Sequence, residues 1–400
     1  MMSNSDWKER GDKVFVGTYS RFPAAMVRGE GCRLWDADGR EYVDFLSGIA
    51  VCSLGHCHPA VTEAICRQAG KLIHVSNLFY TAPQIELAEL LTAHSFAEKV
   101  FMANSGAEAN EAAIKLARIH SGTDRYEIIS LSGSFHGRTL ATVAATGQPK
   151  FHQGFEPLPQ GFVHAEFGDP SSLEGLINEH TCAILCEPLQ GESGVRPLGP
   201  EYLQAIRKLC DKHDLLLIFD EVQTGMGRTG TLFAYQQLGV TPDIMTVAKA
   251  LGNGLPIGAM LTRDDIAVSF GVGTHASTFG GNPVAAAAAV AVMRIMLADG
   301  FFAGVRERGK YLAEQLAGVA VRFPGLATGV RGSGMLLGLV LTEQGVAIGT
   351  KIVEELFHQG VLINFAGNRV LRFIPPLVVN QADIDILIER LTVVLERLSS

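Results

Sequence analysis

Two stretches decide the fold of this chain: LLLIFDEVQ at 215–223 and IMTVAKALGNG at 244–254. Each opens with a short, unbroken apolar run, as a strand covered on both faces does. Each then changes abruptly. One run ends in Asp220 and Glu221, the other in Ala248 and Lys249. Charged side chains at the end of a buried strand are costly unless something answers them. In open α/β sheets, ligands sit outside the carboxyl ends of the strands. Chemistry is therefore expected at these two ends.

Further apolar runs lie at 99–103, 127–131, 183–186 and 258–261, with amphipathic helical stretches such as EYLQAIRKLCDKH (201–213) between several of them. Strands alternating with helices predict an α/β fold around a parallel sheet. Beyond about residue 290 the pattern changes to long helices at 305–319 and 381–398, with short strands within 330–341 and 360–375. That reads as a smaller α+β domain. Near the N-terminus, RLWDADGREYVD (33–44) carries a hairpin signal at Asp38-Gly39. The expected organisation is a large α/β domain over residues 60–290 and a small domain built from 1–59 and 291–400.

Bulk properties narrow the function. The chain has 400 residues, 47% hydrophobic and 18% charged, with a net charge of -8. An acidic balance argues against nucleic acid and anionic membrane as partners. The N-terminus is polar and carries both charge signs, unlike a secretory signal. The most apolar stretch, NPVAAAAAVAVMRIM (282–296), is too short to span a bilayer and reads as a buried helix. Seven cysteines, Cys32, Cys52, Cys57, Cys66, Cys182, Cys186 and Cys210, form no disulfide framework and suit a reducing cytoplasm. Cys52, Cys57 and His58 lack a second ligand pair at zinc spacing, so no metal site is expected.

Three strand ends carry candidate chemistry. NSGAEANE (104–111) follows a strand and opens a helix. Its small residues suit a phosphate cradle at a helix N-terminus, although Ser105 with Glu108 also reads as a plain capping box. Asp220 could face Mg²⁺ in a nucleotide triphosphatase, but that needs G-x-x-x-x-G-K-[ST]. Gly70-Lys71-Leu72 and Gly309-Lys310-Tyr311 do not supply it. The other cation open to Asp220 is a protonated pyridine nitrogen. Lys249, among small residues, reads either as a Schiff-base lysine or as one whose amine snorkels to solvent. GMGRTG at 225–230 matches the dinucleotide glycine pattern, but Asp220 to Thr224 intervene after the strand, and Asp243 precedes the next apolar run rather than following it. Arg138 and Arg372 are candidate carboxylate receptors, and Glu192 a candidate ion-pair partner.

Seven motifs occur in order: NSGAEANEAAIKLAR (104–118), FHGRT (135–139), EPLQGESG (187–194), FDEVQTGMGRTG (219–230), AKALGNGLPIGAML (248–261), STFGGNP (277–283) and VLRFIPPL (370–377). From about Tyr19 onward the chain resembles the class III aminotransferases, most of all their acetylornithine branch in arginine biosynthesis. The resemblance implies a type I pyridoxal-phosphate fold and a cytoplasmic homodimer with shared active sites. It implies that Lys249 holds pyridoxal 5'-phosphate as a Schiff base and moves the proton. Asp220 would meet the ring nitrogen, flanked by Glu221 and Val222. Gln223 would contact the ring hydroxyl, and Phe135 would stack on the ring. Ser105, Gly106 and Ala107 would bind the phosphate with Thr278 from the partner subunit. Most relatives have threonine where Ala107 stands.

For substrates the resemblance implies Arg372 on the α-carboxylate of glutamate or 2-oxoglutarate and Arg138 on the far carboxylate, with Tyr19 and Ser277 nearby. Glu192 would pair with Arg372 when no carboxylate is offered there. Ser193 replaces a usual glycine. Ile49 matches the acetylornithine enzymes, where ornithine enzymes tend to carry tyrosine. The implied reaction moves the δ-amino group of N2-acetyl-L-ornithine to 2-oxoglutarate. Succinylornithine, ornithine, acetyl-lysine and 4-aminobutyrate are alternative donors. An NAD-dependent oxidoreductase is the alternative from another class.

Overall fold

The computed structural model describes residues 2–399. An exposed helix, Asn4–Val14, is capped by Ser3, whose Oγ accepts from Asp6 N while Asp6 returns a bond to Ser3 N. Strands β1 (Met26–Glu30), β2 (Arg33–Asp36) and β3 (Glu41–Asp44) then form an antiparallel sheet. The turn between β2 and β3 falls at Asp38-Gly39. Asp36 Oδ1 closes it by accepting from Asp38 N and Arg40 N.

The central sheet has seven strands. In chain order they are β4 (Lys99–Ala103), β5 (Glu127–Leu131), β6 (Phe162–Ala165), β7 (Thr181–Cys186), β10 (Leu216–Asp220), β11 (Ile244–Val247) and β12 (Gly258–Thr262). A two-stranded ribbon of β8 (Leu189–Gln190) and β9 (Arg196–Pro197) follows β7. The spatial order is β4-β12-β11-β10-β7-β5-β6. Every residue of β7, β10, β11 and β12 is buried, so the unbroken apolar runs do mark strands covered on both faces. The sheet is mainly parallel, but β12 runs antiparallel to both β4 and β11. Residues 248–257 contain only one short 3₁₀ turn, and a parallel return would need a longer crossover. The edge strand β6 is invisible in the sequence because it is short and only partly buried.

The alanine-rich run forms the helix Pro283–Met296, capped by Asn282 and buried along most of its length. Among the described residues, no single helix is long and apolar enough to cross a membrane. The C-terminal part forms a second antiparallel sheet of β13 (Ala327–Ser333), β14 (Leu336–Leu341), β16 (Asn364–Ala366) and β17 (Val370–Phe373), in the order β13-β14-β17-β16. Between β14 and β16, β15 (Val361–Leu362) leaves this sheet to pair in parallel with β3. The helices Phe301–Arg322, Gly349–His358 and Gln381–Ser399 also belong to this part.

A buried arginine joins the parts. Arg228, inside the GMGRTG loop, is fully buried and donates to Met335 O (3.1 Å), Pro375 O (2.5 Å) and Ser53 Oγ (3.0 Å). Burial draws its guanidinium down to about 9. No α-helix opens after this loop; a 3₁₀ turn at Ala234–Gln237 does. The loop therefore lacks the context of a dinucleotide site.

One glycine sets a close approach. A methyl group on Gly258, at the start of β12, would lie 2.4 Å from Ser105 O, a backbone atom that cannot step aside. Gly258→Ala is expected to cost about 1–3 kcal/mol, the usual range for overpacking. Thermal unfolding checks this; an unchanged Tm would show that the loop at Ser105 yields freely.

Candidate active site

A cavity of about 390 Å³ opens at the carboxyl ends of the central strands. It is lined by Ser105, Gly106, Ala107, Phe135, Arg138, Glu192, Asp220, Val222, Gln223 and Lys249, together with Val51, Asn110, His136 and Glu187. Ten residues singled out from the sequence thus meet in one place.

Each wall follows from its local fold. The helix Gly106–Ser121 begins at the cavity, and Ser105 caps it by accepting from Glu108 N at 3.2 Å. Glu108 turns its carboxylate to Asn104 N (2.7 Å) and Asn104 Nδ2 (2.8 Å). Cap and cradle are compatible, because the first N–H groups of a helix have no intrahelical acceptor and attract anions. Asp220 ends β10 and is 4% exposed. Its Oδ2 accepts from Asn110 Nδ2 (2.7 Å) and faces His136 Nδ1 at 2.8 Å, while Oδ1 accepts from Val222 N (3.0 Å). Lys249 follows β11 with φ of +47°, a left-handed conformation uncommon for lysine. Burial lowers its amine from the usual value. The negative charges of Glu192 and Asp220 oppose that shift, and Arg372 reinforces it.

Arg372, on β17, is fully buried behind the cavity wall. Its Nη1 donates to Glu192 Oε1 (2.6 Å) and Gly191 O (3.0 Å), and Nε donates to Asn364 Oδ1 (3.1 Å). Its Nη2 is buried without a hydrogen-bond partner among the described residues. Burial alone would push Glu192 up. The charges of Arg372 and Lys249, with hydrogen bonds from Arg372 and Gln223, hold it at about 2 instead. Gln223 Nε2 donates to Glu192 Oε1 at 3.1 Å. Ser193 closes the same turn through Oγ to Gln190 Oε1 (2.9 Å). Arg138 stands exposed at the rim, its guanidinium 4.0 Å from the Phe151 ring centre.

Other residues expected in the site lie elsewhere. Glu221 does not line the cavity; it is buried and accepts from Ala234 N (2.5 Å) and Tyr235 N (2.8 Å). It anchors the following loop, and burial lifts it to about 7 against those two bonds. Ser277 and Thr278 border a separate cavity with Asn77 and Tyr80. Tyr19 is exposed beside Arg21. Within one chain these three do not reach the Lys249 cavity. Sequence reasoning missed Asn110, His136 and Glu187. Glu187 follows the buried strand β7 just as Asp220 ends β10, so the same signal was available. Its Oε2 accepts from Phe135 N at 2.9 Å. All seven cysteines are free.

A lysine, a buried acid and a helix N-terminus around one cavity, with a buried arginine behind its wall, define an aminotransferase-type site. The chain belongs to the class-III aminotransferase family, whose model matches residues 16–395. It is 50% identical over 377 residues to an acetylornithine aminotransferase of Caldanaerobacter subterraneus subsp. tengcongensis, covering 93% of this chain and 95% of that one. The N-acetylornithine aminotransferase structure from Stenotrophomonas maltophilia is 39% identical, with a TM-score of 0.84 over 97% of this chain and 98% of that one. The ornithine aminotransferase structure from Toxoplasma gondii is 31% identical, with a TM-score of 0.95 over 100% and 96%. Enzymes of this family depend on pyridoxal 5'-phosphate. The residues present fit that group: a buried carboxylate for its ring nitrogen, a buried amine for its aldehyde and a helix N-terminus for its phosphate.

Glu187 offers a test of site electrostatics. Burial and the neighbouring Asp220 push its carboxyl well above the ordinary range. A carboxyl raised on folding contributes stability that is present below its unfolded pKa and is lost as pH rises toward its folded one. Between pH 5 and pH 8 the wild type should therefore lose more Tm than Glu187→Gln. Parallel profiles would show that Glu187 is ionised in the folded protein.

Proposed function

We propose that this chain transfers the δ-amino group of N2-acetyl-L-ornithine to 2-oxoglutarate, giving N-acetylglutamate 5-semialdehyde and glutamate. The observation that carries the reading is the Arg372–Glu192 pair beside the cavity, with one guanidinium nitrogen unpartnered. A glutamate or 2-oxoglutarate carboxylate would take Arg372 in a bidentate grip and displace Glu192. A donor whose amine lies far from its carboxylate leaves the Arg372–Glu192 pair closed. Its carboxylate is then met by Arg138 at the rim. One cavity can serve two unlike donors in alternation.

Pyridoxal 5'-phosphate, when bound, supplies the electron sink and carries the amino group between the half-reactions. Lys249 would hold it covalently and would then move the proton at the substrate carbon. Burial lowers its pKa, which favours the free amine over the ammonium. Asp220, fixed by Asn110 and His136, keeps the ring nitrogen protonated. Phe135 would stack on the ring, with Val222 beside it. Gln223 would contact the ring hydroxyl. Ser105, Gly106 and Ala107 would hold the phosphate through the helix N-terminus.

The assembly we propose is a homodimer in which Thr278 of the partner subunit completes the phosphate site, and the partner's Ser277 and Tyr19 border the substrate. Exposed Leu78, Tyr80 and Phe279 support a covered face near Thr278. The same reading divides the chain into a large domain at 60–290 and a small one from 1–59 and 291–400. It places the reaction in cytoplasmic arginine biosynthesis, consistent with seven free thiols.

Titrating the holoenzyme with N-acetylornithine, without keto acid, should bleach its visible absorption at low donor concentration. Bleaching by ornithine alone would replace the donor, and a protein that gains no visible band with pyridoxal 5'-phosphate would remove the reading. Lys249→Ala should abolish turnover with an unchanged far-UV spectrum; wild-type rates in that variant would contradict its role. Arg372→Lys keeps the charge but loses the bidentate fork. It should lower kcat/KM for 2-oxoglutarate by an amount equivalent to about 2–5 kcal/mol, and for N-acetylornithine far less. Equal losses would refute the division between Arg372 and Arg138.

A further inference from the structure

Arg138 stands at the cavity mouth with nothing polar to hold it. Its side chain is exposed, and among the described residues its guanidinium has no hydrogen-bond or ion-pair partner. What it touches is aromatic. Its Cζ lies 4.0 Å from the centre of the Phe151 ring and 5.4 Å from that of Phe135. At 4.0 Å the guanidinium has to lie over the face of Phe151, because the ring's own edge atoms block so close an approach in its plane. Phe151 also meets Phe135 edge-on, with ring centres 5.8 Å apart and planes at 81°. One ring therefore supports both the guanidinium and the aromatic residue that lines the cavity, although Phe151 itself does not line it.

The support is itself held in place. Phe151 closes the 3₁₀ turn Pro149–Phe151, its N donating to Gln148 O at 2.9 Å. Gln148 Nε2 donates to Gly133 O (3.3 Å) and Ser134 O (3.0 Å), just before Phe135. Gly133 N donates to Gly147 O (2.7 Å), and Gly147 N to Ser134 Oγ (3.0 Å). The turn that carries Phe151 is thus bound to the loop that carries Phe135 and Arg138. A cation is attracted to an aromatic face, and a guanidinium held that way spends none of its five N–H donors. A carbonyl or carboxylate in the same place would consume some of them. Lys150 Nζ lies 4.8 Å from the same ring centre and also forms no ion pair among the described residues. The mouth therefore presents unpaired positive charge with its donors free, as a carboxylate receptor requires.

We propose that Phe151 is a specificity-determining positioning residue. It holds Arg138 so that the enzyme separates amine donors that carry a carboxylate far from the reacting amine from the same amines without one. Phe151 acts in this way only if Arg138 is the carboxylate receptor of the proposed function. An arginine free to sample its rotamers loses that freedom each time it binds a substrate. The face of Phe151 takes part of that loss in advance, and it leaves the edge of the guanidinium open to a bidentate carboxylate. Phe151 reaches the substrate only through Arg138.

Bleaching of the holoenzyme by N-acetylornithine and by its decarboxylated counterpart, N-acetylputrescine, tests this, each followed as a half-reaction without keto acid. The wild type should favour N-acetylornithine. Phe151→Leu keeps apolar bulk without an aromatic face. It should shrink that preference roughly 3- to 10-fold, by raising the concentration of N-acetylornithine needed for half-maximal rate and not by lowering the limiting rate. Phe151→Tyr should restore the preference. With Arg138→Gln already in place, Phe151→Leu should change it no further. Equal slowing of both amines by Phe151→Leu, or an undiminished effect beside Arg138→Gln, overturns the proposal, because Phe151 would then act on the cavity as a whole. A wild type that separates the two amines no better than Phe151→Leu, yet still favours N-acetylornithine, overturns the role of Phe151 alone. A wild type that does not separate them at all removes Arg138 as the receptor, and the role of Phe151 with it.

Discussion

The structure depends on satisfying the buried carboxylate of Asp220 at the end of the central sheet. An ionised carboxylate taken out of water loses several kcal/mol of hydration and must recover it from fixed partners. Here two partners come from distant parts of the chain, Asn110 from the helix after β4 and His136 from the loop after β5, and the third is the neighbouring backbone of Val222. Asn110 is itself positioned by Thr246 Oγ1, which donates to its Oδ1 at 2.6 Å, and it donates in turn to His136 O. The network therefore runs across β11, β10 and the helix above them. It fixes how strands and helix meet as well as where the charge points. Such a network costs most when half satisfied, so these residues act as a unit.

A second constraint is that the acids around Lys249 must not all present full charge to it. Glu192 is held by Arg372, and burial with the nearby Asp220 keeps Glu187 above the carboxylate range. Fewer full negative charges then face the Lys249 amine than a count of acids implies, and desolvation can lower it. The carboxyls of Glu187 and Glu192 are thus pushed in opposite directions, each by its own neighbours.

The large-scale fold is legible in the sequence because its central strands are buried on both faces. Continuous apolar runs ending in Asp220 and Lys249 need no context to be read. What escapes is whatever depends on direction or partial burial. The reversal of β12 follows from the lack of a crossover, a property of the connection and not of the strand. Strand β6 and the helix Gly349–His358 are short elements whose burial comes from neighbours. In the site, acids at strand ends are readable, and Glu187 was open to the same argument. Asn110 and His136 carry no such mark, because their value lies in where the fold points them. Conversely, Glu221 reads like a ligand but serves the backbone of Ala234 and Tyr235. Adjacent residues leaving a strand face opposite sides, and only Asp220 reaches the cavity.

Strain shows where the parts of the chain are forced together. Ser47, Gly48, Ile49 and Ala50 all have positive φ, of 45°, 64°, 66° and 62°. For a β-branched residue such as Ile49 this is an outlier, and such residues persist only where their surroundings over-determine them. The surroundings are identifiable. Asp44 Oδ1 accepts from Leu46 N and Ser47 N, both at 2.8 Å, and Ser47 Oγ donates to Ile374 O at 2.6 Å. Ile374 lies two residues after Arg372, so the segment that carries the buried guanidinium also clamps the strained turn. Arg228 grips the next carbonyl, at Pro375, and reaches Ser53 just beyond the turn. Val51 enters the cavity wall directly after the strained residues, and Ile49 stays exposed beside it. The N-terminal turn is thus indexed to Arg372 through shared backbone contacts. Moving the C-terminal sheet relative to the central one would displace both together, which makes the strained turn part of how the cavity keeps its shape.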